Sequence, residues 1–153
     1  MSASDPAAPG GRAIPASPGS PLADARSAAR LVVGLERTET FTVADRLVTD
    51  VGGTIDARVL STPGMIAMME RASSVLSYEN LPDGKATVGF EVCVRHVGAA
   101  LEGSECTVST RLVEIADGRK LRFEVEVTEG ERTIGVGTHE RRIIDVGRLG
   151  APS

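Results

Sequence analysis

The chain has 153 residues, of which 41% are hydrophobic and 25% are charged, and its formal net charge is −4. Because the chain is mildly acidic and no basic stretch alternates with aromatic residues, we expect no nucleic acid and no anionic membrane among its partners. No apolar run is long enough to span a bilayer and no secretory signal pattern is visible, so we expect a cytoplasmic protein.

The N-terminal segment, residues 1–28, is rich in Pro, Gly, Ala and Ser and has few large apolar side chains. Such a segment buries too little surface to offset the entropy of ordering it, which predicts a disordered tail. The folded domain is then expected over 29–147, with a short C-terminal tail over 148–153. Within that domain, Cys93 and Cys106 have neither CxxC spacing nor a secretory context, which predicts two reduced and buried thiols.

The first predicted elements are a strand over 36–44 and a loop over 45–58 that contains Gly52 and Gly53. The strand is indicated by alternation of polar and apolar residues, and the loop by its paired glycines and mixed polarity. A loop of this length in a small domain is often a lid over a site.

A long helix is predicted from Thr62 to Glu79. Ser61 or Thr62 can cap it, because a hydroxyl can accept a hydrogen bond from an unpaired amide of the first turn, and Pro63 suits that turn because its missing N–H is no loss there. One face carries apolar residues at helical spacing, which we expect in the core: Met65, Met68, Met69, Ala72, Val75 and Leu76.

Four strands with two-residue alternation follow the helix. They are predicted over 85–97, 105–115, 119–128 and 132–145, and the inward side of the first should carry Val88, Phe90, Val92 and Val94, and that of the third Leu121, Phe123, Val125 and Val127. One helix followed by an antiparallel meander predicts an α+β fold in which about five strands wrap the helix. Because one helix covers one face only, we expect a homodimer.

Three polar residues are candidates for chemistry. Glu70 lies on the flank of the apolar helix face, where its carboxylate is either a solvated surface group or partly desolvated at the edge of the core. His96 is in phase with the inward residues of its strand, as a bonded core histidine or a proton-transfer group. Thr62 is either a plain cap or a hydroxyl placed at the positive end of the helix, where a developing oxyanion is stabilised.

Several other kinds of site are not indicated. His96 and His139 are far apart in sequence and lack ligand spacing, so we expect no metal and no other cofactor. No glycine-rich phosphate loop connects a strand to a helix, and the GxSxG element of α/β-hydrolases is absent.

Three stretches resemble the fluoroacetyl-CoA thioesterase family of hot-dog proteins. They are Val59-Leu60-Ser61-Thr62-Pro63-Gly64-Met65-Ile66-Ala67-Met68-Met69-Glu70, Val88-Gly89-Phe90-Glu91-Val92-Cys93-Val94-Arg95-His96 and Gly137-Thr138-His139-Glu140-Arg141. The resemblance covers about residues 31–145 and implies a hot-dog fold, an acyl-CoA substrate and a site shared by two protomers.

The resemblance also implies roles for individual residues. The active-site threonine, glutamate and histidine of the family fall on Thr62, Glu70 and His96. Its strand glycine, whose backbone helps to hold the acyl carbonyl, falls on Gly89, and the arginine that lines its acyl pocket falls on Arg141. These groups can supply what thioester cleavage needs, namely a nucleophile or water activator, a proton-transfer group and oxyanion donors.

One departure concerns the acyl group. The family member specific for fluoroacetyl-CoA carries aromatic lid residues before the helix, whereas residues 53–58 here contain neither Phe nor Tyr and Asp56 stands at the gate position. We therefore expect hydrolysis of another small or medium acyl-CoA. Two alternatives remain on the same fold: a non-catalytic acyl-CoA-binding module, and an acyl-CoA hydratase or dehydratase.

Overall fold

The computed structural model describes residues 30–149, which form one long helix and seven strands. The elements are β1 (Glu36–Thr42), β2 (Val48–Thr49), β3 (Val59–Leu60), α1 (Thr62–Glu79), β4 (Lys85–His96), β5 (Glu105–Ala116), β6 (Lys120–Glu129) and β7 (Arg132–Asp145), with short 3-10 helices at Asp45–Leu47 and Val146–Arg148. The tail predicted over 1–28 and the last four residues lie outside the described residues.

The five long strands form one antiparallel sheet in the order β1-β5-β6-β7-β4. Strands β5, β6 and β7 are joined by tight turns, and the first of these places Asp117 and Gly118 at φ 53° and 67°, as the two-residue hairpin signal predicts. Strand β4 pairs with β7 on one side only. Within residues 30–149, the sheet therefore ends at a twelve-residue strand whose other backbone edge is unpaired.

Helix α1 packs against one face of this sheet. Its core-facing residues Met65, Met69, Ala72 and Leu76 are buried, as predicted, whereas Met68 and Val75 are only partly so. The facing residues of β6 are all buried as well, namely Leu121, Phe123, Val125 and Val127. One helix held by a five-stranded antiparallel sheet confirms the predicted α+β class.

The start of α1 shows which hydroxyl acts as its cap. The side chain of Ser61 accepts a hydrogen bond from the backbone N–H of Gly64 at 2.9 Å. Thr62 is already helical, and its hydroxyl bonds to a side chain instead. The cap is therefore Ser61, which leaves Thr62 available for another role.

The prediction for β4 is wrong in its first half. The pairing with β7 shifts between Gly89 and Glu91, so Phe90 is the extra residue of a β-bulge. A bulge reverses which side alternate residues face. Val88 and Phe90 consequently lie 42% and 63% exposed, while Val94 packs against the core.

Two further expectations need correction. Cys93 is exposed rather than buried, because it lies on the outward side of β4 beyond the bulge, and Cys106 alone is buried. The loop predicted over 45–58 includes a 3-10 helix and strand β2, which pairs with β3 after an exposed turn over 50–58. Among residues 30–149, no helix has the length and apolar character needed to cross a membrane.

Glycine is required at Gly137, where β7 pairs with β4. A Cβ built on Gly137 would overlap the backbone oxygen of Cys93, which a strand cannot move without losing its pairing. We expect Gly137→Ala to lower the free energy of unfolding by about 1–3 kcal/mol, as over-packing does. Gly147→Ala is the matched control, since nothing lies within 4 Å of its added methyl group. Equal urea midpoints for the two variants would contradict this packing argument.

Candidate active site

The first part of the site lies where the N-terminus of α1 meets the end of β4. The Thr62 hydroxyl and the His96 Nδ1 are 2.9 Å apart, within hydrogen-bond distance. The other ring nitrogen, Nε2, is buried and has no hydrogen-bond partner among residues 30–149. An imidazole held at one nitrogen and free at the other is suited to moving a proton.

The second part lies further along the same helix. The carboxylate of Glu70 is 42% exposed, and its Oε2 is 3.8 Å from Nη1 of Arg141 on β7. The same oxygen would be 3.0 Å from a Cβ built on Gly89, so the glycine lets the carboxylate approach β4 closely. Three of the predicted site residues, Glu70, Gly89 and Arg141, therefore meet at one place.

Arg141 is fixed in the interior by Thr87 on β4 and by His139 on its own strand, β7. Its side chain donates from Nε to the Thr87 hydroxyl at 2.8 Å and from Nη2 to the Thr87 carbonyl at 3.0 Å. Nη1 lies 3.1 Å from Nε2 of His139. Burial lowers the pKa of Arg141, whereas the negative charge of Glu70 opposes that shift. The one carboxylate that forms an ion pair with this buried cation in the described part of the chain is Glu70.

The two parts are separated within one chain. Thr62 and Glu70 are eight residues apart on α1, which is about 12 Å along the axis. His96 and Gly89 are seven residues apart on β4, or about 20 Å along a strand. The structure thus pairs Thr62 with His96 and Glu70 with Arg141, but it does not bring the two pairs together in a single copy.

Sequence reasoning missed the residues that hold Arg141. His139 is 1% exposed, and Thr87 supplies two of the three hydrogen bonds to the guanidinium. The available signal was their spacing: His139 precedes Arg141 by two on β7, and Thr87 precedes Gly89 by two on β4. Residues two apart on a strand share a face.

No group of three or more His, Cys, Asp or Glu side chains within residues 30–149 is arranged to hold a metal ion. The arrangement offers instead a carboxylate beside a buried cation, and a hydroxyl–imidazole pair at a helix N-terminus. Side chains of these kinds can serve in acyl transfer.

Comparison with known proteins agrees with this chemistry. Residues 42–147 match the family model described as FlK, fluoroacetyl-CoA-specific thioesterase. The matched range includes every strand from β2 onward and the whole of α1. The chain belongs to this family. Membership confirms the resemblance expected from the three sequence stretches, which all lie inside the matched region.

Individual relatives give the same result. The chain is 33% identical over 93 residues to the fluoroacetyl-CoA thioesterase of Streptantibioticus cattleyicolor, a match that covers 61% of this chain and 66% of that protein. A solved fluoroacetyl-CoA thioesterase FlK is 28% identical with a TM-score of 0.69, covering 80% of this chain and 98% of the other. A variant of that enzyme solved with fluoroacetate and CoA is 28% identical with a TM-score of 0.71, and the match covers 78% of this chain and 100% of the other.

The buried histidine predicts a pH dependence of stability. Burial lowers the pKa of His139 below its ordinary value of 6.5, and the Arg141 charge adds to this, although the backbone of Glu91 and the charge of Glu70 oppose it. As the pH falls, the His139 imidazole is therefore protonated in the unfolded chain before it is protonated in the folded chain. The contribution of neutral His139 to the free energy of unfolding is fully present above pH 6.5 and decreases as the pH drops below that value. Urea midpoints at about pH 7.5 and 5.5 should differ more for the wild type than for His139→Gln; equal differences would contradict it.

Proposed function

We propose that the protein is an acyl-CoA thioesterase, which hydrolyses a small or medium acyl-CoA to the free acid and CoA. The observation that carries this proposal is the carboxylate of Glu70, held 3.8 Å from the buried guanidinium of Arg141 and against Gly89. Family membership and the bonded pair of Thr62 and His96 support it. A cytoplasmic location is part of the same proposal, because CoA thioesters are its substrates.

Each candidate residue has a separate role in the proposed reaction. Glu70 attacks the thioester carbon, either directly or through a water molecule from which it takes a proton. The carbonyl oxygen becomes an oxyanion, which the backbone at Gly89 helps to stabilise. When the carbon–sulfur bond breaks, His96 gives a proton to the CoA sulfur, and Thr62 holds the ring at Nδ1 for that transfer. In the direct route a water molecule then cleaves the bond between Glu70 and the acyl group. In either route water supplies the hydroxyl of the acid and the proton that restores His96.

A homodimer completes this site. The unpaired edge of β4 is long, and it carries the exposed residues Val88 and Phe90. Such an edge is a template for pairing with another strand. Antiparallel pairing about a twofold axis near Val92 and Cys93 sets His96 beside Gly89 of the partner subunit, because the two positions are equally far from that axis. Each site would then join Thr62 and His96 of one copy to Glu70 and Arg141 of the other.

The acyl group is expected to differ from fluoroacetyl. The turn over 50–58 is exposed and contains no aromatic residue. The four aromatic residues of the chain lie elsewhere, at Phe41, Tyr78, Phe90 and Phe123. A turn without aromatic side chains cannot close a small, dry pocket over a two-carbon acyl group as an aromatic lid does.

The test is release of free thiol from a panel of acetyl-, malonyl-, butyryl-, phenylacetyl- and fluoroacetyl-CoA, followed with a thiol-reactive dye. We expect turnover of at least one member, with kcat/KM for fluoroacetyl-CoA below that for the best substrate. Turnover restricted to fluoroacetyl-CoA would contradict the specificity. No release from any member by a folded protein that binds CoA would reject the enzyme in favour of a binding module.

A further inference from the structure

The hydrogen bonds of His139 define its protonation state. Nδ1 lies 2.9 Å from the Glu91 carbonyl oxygen, and Nε2 lies 3.1 Å from Nη1 of Arg141. A carbonyl oxygen only accepts and a guanidinium only donates, so Nδ1 must carry the hydrogen and Nε2 must be unprotonated. The neutral Nδ1–H tautomer is therefore the only form that satisfies both contacts.

The position of the ring is fixed as well. His139 is 1% exposed and stacks on Phe123, with ring centroids 6.4 Å apart and planes 30° from parallel. In the sheet, His139 pairs with Val92 of β4 on one side and with Phe123 of β6 on the other. Because the ring is enclosed and both nitrogens are engaged, His139 cannot exchange a proton with substrate.

The guanidinium of Arg141 is held from two directions. Thr87 accepts from Nε and Nη2, whereas Nη1 has His139 as its hydrogen-bond acceptor. Nη1 is also the nitrogen that lies 3.8 Å from Glu70. The contact from His139 therefore sets the part of Arg141 that faces the working carboxylate, and Thr87 sets the opposite part.

We propose that His139 is a positioning residue for catalysis: its unprotonated Nε2 aims Nη1 of Arg141 at Glu70 and so sets the place of that carboxylate in the site. This inference rests on the proposed thioesterase function, in which Glu70 acts on the thioester carbon. The charged groups that face His139 are Arg141 on β7 and Glu70 on α1.

Two amide substitutions separate positioning from simple packing. In His139→Gln the side-chain oxygen reaches the place of Nε2 and can still accept from Arg141. In His139→Asn the shorter amide reaches the place of Nδ1, so it keeps the donor to the Glu91 carbonyl and loses the acceptor. We expect kcat to fall about 10²-fold in the Asn variant, as for a misplaced reacting group, and less than tenfold in the Gln variant.

The kinetic measurement needs a readout that does not depend on turnover. The chain has two histidines, so ¹⁵N-labelled imidazole signals can be assigned with a His96 variant. We expect the His139 ring as the Nδ1–H tautomer, and slow hydrogen exchange at Arg141 Nη1, the nitrogen that His139 contacts, in the wild type and the Gln variant but not in the Asn variant.

The outcomes decide the proposal in each case. Equal loss of kcat in the Gln and Asn variants, at equal thermal midpoints, would reduce His139 to a packing residue. An Nε2–H tautomer would overturn the proposal regardless of activity. If the wild type hydrolysed no thioester, the thioesterase function would fail, and the tautomer with the Arg141 exchange rates would still decide whether His139 positions the guanidinium.

Discussion

His96→Ala is expected to lower kcat for thioester hydrolysis by about 10²- to 10⁴-fold, the usual contribution of a positioned proton-transfer group. The imidazole is hydrogen-bonded to Thr62 at 2.9 Å, and its second nitrogen is buried without a partner in the described part of the chain. The variant loses the proton donor to the CoA sulfur and the group that Thr62 orients. The measurement is thiol release at saturating concentration of the best acyl-CoA.

The control for this variant is Arg111→Ala. The Arg111 side chain is 56% exposed and lies on β5, where it forms an ion pair with Glu36 on the neighbouring strand. It should retain wild-type kcat, and both variants should keep the wild-type thermal midpoint. A His96→Ala protein that stays folded and keeps kcat within threefold of wild type would remove His96 from the mechanism.

Glu70→Gln is expected to have an effect of similar size, about 10²- to 10⁴-fold on kcat. The amide has nearly the shape of the carboxylate, so it preserves the approach to Gly89, but it can neither attack the thioester carbon nor deprotonate water. It also leaves the buried Arg141 without the carboxylate 3.8 Å away. Because the Glu70 side chain is 42% exposed, we expect the loss to appear in activity rather than in folding.

A matched substitution on the same helix isolates the role of position. Glu79 also lies on α1 and pairs with Arg37, with its side chain 53% exposed. Glu79→Gln should keep wild-type kcat and lose at most about 1 kcal/mol of stability, as for an exposed ion pair. A comparable loss of activity in both variants would mean that charge on the helix, and not the Glu70 carboxylate, affects the reaction.

Much of the fold could be predicted because local signals agreed with tertiary packing. Helix α1 begins and ends at Thr62 and Glu79, as its cap, its early proline and its apolar spacing indicate. The hairpin at Asp117 and Gly118 also follows its turn residues. The bulge at Phe90 could not be predicted, because a bulge is set by pairing with β7 and leaves no mark in the alternation of β4.

The candidate site residues could be named from the sequence, but their arrangement in space could not. The resemblance implies Thr62, Glu70 and His96 as candidates, and the structure places Thr62 beside His96 and Glu70 beside Arg141. The distance between the Thr62–His96 pair and the Glu70–Arg141 pair depends on the length of α1 and on the curvature of the sheet. Spacing in the sequence does not show either of these. The roles of Thr87 and His139 appear only when the hydrogen bonds of the buried guanidinium are traced.

Mixed dimers test most directly whether one catalytic site is built from two copies of the chain. His96→Ala and Glu70→Gln chains would carry different affinity tags, be co-expressed and be purified through both tags, with each single variant as control. If His96 of one copy works with Glu70 of the partner subunit, one of the two sites in a mixed dimer is intact, and its kcat per dimer is about half that of wild type. Mixed dimers as inactive as the two single variants would place the whole site within one chain and contradict the account.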